Sequence, residues 1–280
     1  MVFRIKKTAL FIIGIITLCI FTGCEKIKKD ELEDTNPYGV FLNYEGNLIE
    51  LSKYETIVID AQYISEQDIA DFKAQGHTVY SYINVGSLEN FRDYYPEFED
   101  IMLGEYEHWE EERWVDVSSK TWQDFILNDL SKELIDKGID GFFVDNCDVY
   151  YEYPNSDILS GLSAILEGLR ATGKDVVING GDCFVDAYCS TGGDWKNILT
   201  GINQESVFSC INWEDDTFGK AEEEDHKYYT EYIEKYGKQG ADIFILEYTK
   251  DPQLMQEIQE YCAENHYQYY ITDRIELDEY

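Results

Sequence analysis

Residues 138–150 read Gly-Ile-Asp-Gly-Phe-Phe-Val-Asp-Asn-Cys-Asp-Val-Tyr. The apolar run Gly141 to Val144 has the composition of a strand buried on both faces, and it delivers Asp145, Asn146 and Asp148 at its C-terminal end. Segments that are apolar for a few residues and finish on a polar group recur at Val40 to Asn43, Ile57 to Asp60, Val79 to Asn84, Val176 to Asn179, Ile202 to Glu205, Ile243 to Glu247 and Tyr269 to Asp273. Eight such strands, spaced by roughly 20 to 60 residues, describe a single-domain α/β fold, the (β/α)8 or TIM barrel. In that fold the C-terminal strand ends build the active site, so the carboxylates there are the candidates for chemistry.

The segments between the strands carry helix signals. Ser65 with Asp68 forms a capping box ahead of Ile69 and Phe72, and Gly76 stops that helix. Thr121 with Asp124 is expected to open a second helix through Phe125, Ile126, Leu130 and Leu134 up to Gly138. Asp251 and Pro252 start a third, with Leu254, Met255, Ile258 and Cys262 on one side. Arg113 to Val117, RWVDV, would be a ninth strand and is assigned to the long connection after the third. Residues 91–112 ahead of it are aromatic and acidic and are expected to be irregular.

The chain opens with Arg4, Lys6 and Lys7, then a mostly apolar stretch from Ala9 to Phe21, then Thr22, Gly23 and Cys24. That apolar run is too short to span about 30 Å of hydrocarbon and reads as a cleavable signal; the small pair before Cys24 resembles the bacterial lipobox, which implies that residues 1–23 are a lipoprotein signal peptide and Cys24 the lipidated mature N-terminus. Phe21 departs from the Leu usual three residues before the cysteine, which leaves ordinary secretion or an uncleaved anchor as alternatives. Residues 24–36 have mixed charge and little apolar content and read as a flexible tether, leaving 37–280 as the folded domain. The folded part is expected outside the cytoplasm, with the membrane touched only through the anchor, and to act as a monomer.

There are 22 Lys plus Arg against 57 Asp plus Glu, a net charge of −35, which repels nucleic acid and anionic headgroups and attracts cationic ligands. Acidity for solubility alone is the competing reading. Beyond Cys19 and Cys24, the cysteines are Cys147, Cys183, Cys189, Cys210 and Cys262, an odd number that permits one local bridge such as Cys183 to Cys189 without establishing it. No zinc-ligand spacing occurs, so neither a metal nor another cofactor is expected.

Two carboxylates at strand ends suffice to cleave a glycosidic bond, one donating a proton to the leaving oxygen and the other serving as nucleophile or base. Asp60, Asp145, Glu205, Glu247 and Asp273 are placed for it by sequence. Tyr94, Tyr95, Tyr106, Trp109, Tyr150, Tyr151, Tyr153 and Trp213 fall in loops expected at the same face, where rings pack on sugar C–H faces.

In order along the chain, YINVGSLENFR at 82–92, WVDV at 114–117, GIDGFFVDNCDVY at 138–150, VINGG at 177–181, NQES at 203–206 and FILEY at 244–248 resemble glycoside hydrolase family 114, the endo-α-1,4-polygalactosaminidases. The resemblance implies a retaining TIM-barrel glycosidase acting on α-1,4-linked galactosamine polymers of exopolysaccharide and biofilm matrix. It implies Asp145 as nucleophile and Glu205 as acid/base, with Asp60, Tyr82, Asn84, Glu89, Arg92, Asn146, Asp148, Asn179, Glu247 and Tyr248 lining the sugar site. Arg92 has a competing role as the ion-pair partner of Asp93, Glu97 or Glu99. The expected partner is thus a cationic amino-sugar polysaccharide. A non-catalytic glycan-binding lipoprotein with a degenerate barrel and a glycosidase for a neutral α-galactoside stand as alternatives, and the residues alone leave retention against inversion open.

Overall fold

The computed structural model describes residues 36–278, apart from 108 and 216. The leader, Cys24 and most of the tether lie outside the described residues. The first strand takes in Asn36, so the barrel begins one residue ahead of the expected boundary.

Eight strands run in parallel and in chain order: Asn36–Phe41, Tyr54–Ile59, Thr78–Asn84, Gly141–Asp145, Asp175–Asn179, Gly201–Glu205, Asp242–Tyr248 and Gln268–Thr272. Each pairs with the next in parallel register, for example Asn84 with Asp145 and Leu246 with Glu205. The first and last strands meet by packing, where the Phe41 ring lies 5.2 Å from that of Tyr270 and 5.0 Å from that of Tyr54. The sheet thereby forms a (β/α)8-type barrel, and its strands are largely apolar because both faces are covered.

The capping box at Ser65 forms, its hydroxyl accepting from the Asp68 amide, and the helix Glu66–Lys73 buries Ile69 and Phe72. Pro252 opens the helix Pro252–Asn265 under the Asp251 side chain. The second helix differs from the expectation: Ser119 is its N-cap position, while the Thr121 hydroxyl bonds that of Ser119. Its middle, Ile126–Leu130, is wound as a π-turn between Lys120–Phe125 and Ser131–Asp136. The first crossover holds a single 3-10 turn, Leu48–Leu51, instead of a helix. Twelve residues between the strands leave no room for more.

Glu112–Val115, the core of the RWVDV segment, stands outside the barrel sheet. It pairs antiparallel with Ser87–Glu89 and Met102–Glu105 in a three-stranded sheet at the mouth. The 91–112 segment is therefore more regular than its composition implies, containing one of those strands and two 3-10 turns. After the sixth strand a hairpin, Ser209–Asn212 with Thr217–Lys220, adds a second wall. Cys147, Cys183, Cys189, Cys210 and Cys262 are all free thiols, so the Cys183–Cys189 bridge does not form.

Candidate active site

A cleft of about 840 Å³ opens at the C-terminal strand ends. At its floor, three adjacent strands end on Asp145, Asn179 and Glu205, and a single amide joins them. Asn179 Nδ2 donates to Asp145 Oδ1 at 3.0 Å and to Glu205 Oε1 at 2.7 Å. The two carboxylate oxygens bonded to that amide therefore lie no farther apart than the sum of those two lengths.

The orientation of that amide is fixed from below. Asn179 Oδ1 accepts from Asn203 Nδ2 at 2.7 Å, and Asn203 Oδ1 accepts from the buried Tyr38 hydroxyl at 3.0 Å. The carboxylates, which only accept, take the N–H groups of Asn179, and Asn203 and Tyr38 complete the chain of bonds behind its carbonyl.

Burial first, and then the Glu205 charge, push the Asp145 carboxyl up to about 6, against the stabilising donors Asn179, the Asn146 backbone amide and Tyr82. Burial also raises Glu205, against Asn179 and the Tyr248 hydroxyl, which donates to Glu205 Oε2 at 2.8 Å. Tyr248 is itself held protonated by burial and by that carboxylate.

Asp60, Glu89 and Arg92 line the cleft as a buried ion-paired group. Arg92 donates to Asp60 Oδ2 and Glu89 Oε2, both at 2.6 Å. Its guanidinium lies 4.9 Å from the Phe91 ring centre and 5.5 Å from that of Tyr63. The pairing with Asp93, Glu97 or Glu99 weighed from sequence is not the one observed, because the strand ends carrying Asp60 and Glu89 converge on Arg92.

Asp148 also lines the cleft, where burial and the charges of Asp182 and Asp145 push it up to about 7. Gly180 and Gly181, in left-handed conformations at φ 62° and 68°, turn the chain beside it. A Cβ on Gly180 would sit 3.2 Å from Asp148 Oδ2, so the VINGG turn needs glycine both for its backbone and to leave that carboxylate open.

Two expected site residues stand behind the wall. Asn84 is buried and bonds Ser87. Glu247 is 0% exposed, and its oxygens accept from the Phe208 amide at 2.9 Å, the Ser209 amide at 2.8 Å and the Ser209 hydroxyl at 2.6 Å. It anchors the loop that follows Glu205. The side chain of Asp273 is exposed and pairs with Lys250, away from the cleft.

Of the expected loop aromatics, Tyr106, Trp109 and Trp213 line the cleft, with the two indoles 6.1 Å apart edge to face. Tyr94 instead packs among Phe98, Trp122 and Phe125, and Tyr95 bonds Met102. Tyr150, Tyr151 and Tyr153 stand outside the lining. Sequence reasoning missed Glu112, Asp182, Tyr63, Phe91 and Tyr229, which do line it. Glu112 opens its strand instead of ending it, so a rule built on strand ends passes over it. Among the described residues no cluster of three or more His, Cys, Asp or Glu could hold a metal ion, and no helix is long and apolar enough to cross a membrane.

Similar architecture is found in solved structures. The glycoside hydrolase domain of PelA from Pseudomonas aeruginosa superposes with a TM-score of 0.68 at 16% identity, covering 86% of this chain and 96% of that one. Ega3 from Aspergillus fumigatus, in complex with galactosamine, gives 0.68 at 17% identity, covering 87% and 93%. A search of curated proteins finds no match. At such identities the two structures speak for the fold alone. The model of glycoside-hydrolase family GH114, however, matches residues 14–181, more than half of the sequence, and this chain belongs to that family of glycosidases.

Proposed function

We propose that this protein is an exported, retaining endo-glycosidase that cuts α-1,4-linked galactosamine polymers, with Asp145 as nucleophile and Glu205 as acid/base. The observation that carries the reading is the single Asn179 amide bonded to both carboxylates on the cleft floor. The approach of one oxygen of each carboxyl to the same N–H donor suits direct attack by one carboxylate, as a retaining reaction requires. Asp145 therefore attacks the anomeric carbon while Glu205 protonates the departing oxygen. Glu205 then takes a proton from the water that releases the covalent sugar.

The roles require the pair's one proton to sit on Glu205 when the sugar is bound. In the free protein burial and the Glu205 charge hold the proton toward Asp145, so the roles require the bound sugar to shift it to Glu205. The exposed rings of Trp109 and Trp213 at the rim suit sugar faces, and the carboxylates of the cleft suit ammonium groups. Ega3, solved with galactosamine, supports the amino-sugar assignment. The basic and apolar leader ahead of Cys24 supports export.

The test is cleavage of polygalactosamine followed by mass spectrometry and by NMR of the newly formed reducing end. Asp145→Asn and Glu205→Gln are expected to lose at least about 10³-fold in kcat while melting near wild type. Full activity in either variant would refute the roles. Bound but uncut polymer with wild type would make the protein a binding module, and cleavage that salt leaves untouched would point to a neutral galactoside.

A further inference from the structure

We propose that Glu112 is a positioning residue for the cleavage reaction: through Ser87 and the Asn146 side chain it locks Asn146 in a left-handed backbone conformation and so fixes the Asp145 carboxylate. The proposal rests on the assignment of Asp145 made above.

Asn146 has φ 64°, a left-handed conformation that asparagine adopts more readily than other side chains and that its surroundings here reinforce. They do so from three directions. Asn146 Nδ2 donates to Ser87 Oγ at 3.0 Å and to Glu112 Oε2 at 3.2 Å, while Oδ1 accepts from the Tyr106 hydroxyl at 3.0 Å. The Asn146 carbonyl, which accepts from the Val149 amide, also packs against Gly86, where a Cβ would come within 1.7 Å of that oxygen. The Val85 amide donates to the Asp145 carbonyl at 3.2 Å.

The direction of each bond in this network is determined. Ser87 Oγ receives N–H groups from Asn84, at 2.7 Å, and from Asn146, so its own proton must go to Glu112 Oε2. Glu112 Oε2 is thus an acceptor only, and it is the group toward which the Ser87, Asn84 and Asn146 donors all turn. Without that acceptor the Ser87 hydroxyl is free to turn toward Asn84 or Asn146, and the Asn146 amide loses one of its three bonds. The Asn146 backbone N–H that stabilises the Asp145 carboxylate moves with it. Glu112 comes from the three-stranded mouth sheet and not from the barrel, so the inserted sheet contributes to the catalytic floor as well as to the wall.

The experiment compares Glu112→Ala, Glu112→Gln and Asn146→Gly, singly and with Glu112→Ala and Asn146→Gly combined, on polygalactosamine. Glu112→Ala is expected to lower kcat by about 10- to 100-fold with KM within about threefold, since the group misplaced is the reacting one. Glu112→Gln keeps a carbonyl acceptor for Ser87 and Asn146 and is expected to stay within about threefold of wild type. In the Asn146→Gly background the alanine substitution should add less than about twofold, because both changes break one chain of contacts.

A rise in KM without a fall in kcat would make Glu112 a sugar ligand and overturn the proposal, as would additive losses or a glutamine variant as poor as alanine. A carboxyl-detected NMR titration of Asp145 without substrate gives a readout that holds even if the polymer is not the substrate. Both Glu112 variants lack its charge, so a higher Asp145 midpoint in alanine than in glutamine reads the lost backbone donor, and equal midpoints would overturn the clamp.

Discussion

Replacing Asn179 by leucine keeps the side-chain volume near that of the amide and removes both donors from the floor of the cleft. The lost bonds, of 3.0 and 2.7 Å, go to carboxylates, and a hydrogen bond to a charged group is worth about 1.5 to 3 kcal/mol. Only what differs between ground and transition state enters the rate. Loss of one such preorganised donor commonly lowers kcat by about 10²- to 10³-fold, the loss expected for kcat/KM here. The sign of the pH effect follows independently. A donor favours the ionised carboxyl, so its removal raises both titrations of the pair. Both limbs of kcat/KM, the rising one where the nucleophile Asp145 ionises and the falling one where the acid Glu205 does, should move to higher pH. Initial rates on polygalactosamine from pH 4 to 9, with melting curves to exclude unfolding, measure both effects. An optimum that stays in place or moves down, or a rate within about threefold of wild type, would refute the claim that this amide governs the pair.

Two further outcomes concern stability. Burial raises Glu112, Asp148 and Glu247 to about 7 and Asp145 to about 6, so the folded protein retains protons that the unfolded chain releases near pH 4. Stability must then fall as pH climbs from about 4 through 7, and a Tm at least about 5 °C higher at pH 5.5 than at pH 8 is expected by calorimetry; a higher Tm at pH 8 would contradict it. Glu247→Ala strands the buried amides of Phe208 and Ser209 and should remove about 3 kcal/mol or more, lowering Tm by about 6 to 12 °C. An unchanged Tm would show that Glu247 is not the anchor described.

The barrel was legible because it is written as hydrophobic pattern. Each barrel strand is an apolar run ended by a polar group, and burial on both faces leaves few other ways to satisfy eight such runs in series. For the same reason Asp145 and Glu205 stand out in the sequence as strand-end groups. Strand-end position could not separate Asp145 from Glu247 or Asp273. Glu247 turned out to be a loop anchor and Asp273 a surface ion pair. That distinction depends on which way a strand end faces and on what approaches it, both of which are set by chain segments far away in sequence.

The inserted sheet shows the same limit. RWVDV announced a strand, but its partners, Ser87–Glu89 and Met102–Glu105, became visible only once the chain had folded over the barrel mouth. Glu112 enters the network around Asn146 by that route. Sequence by itself determined the barrel, the acidic field and the strand-end acids, since each depends on local composition and periodicity. Only the tertiary structure decided that Tyr38, 165 positions from Asn203 in the chain, joins the chain of bonds behind the amide that Asp145 and Glu205 share, because directed hydrogen bonds between distant segments leave no periodic trace.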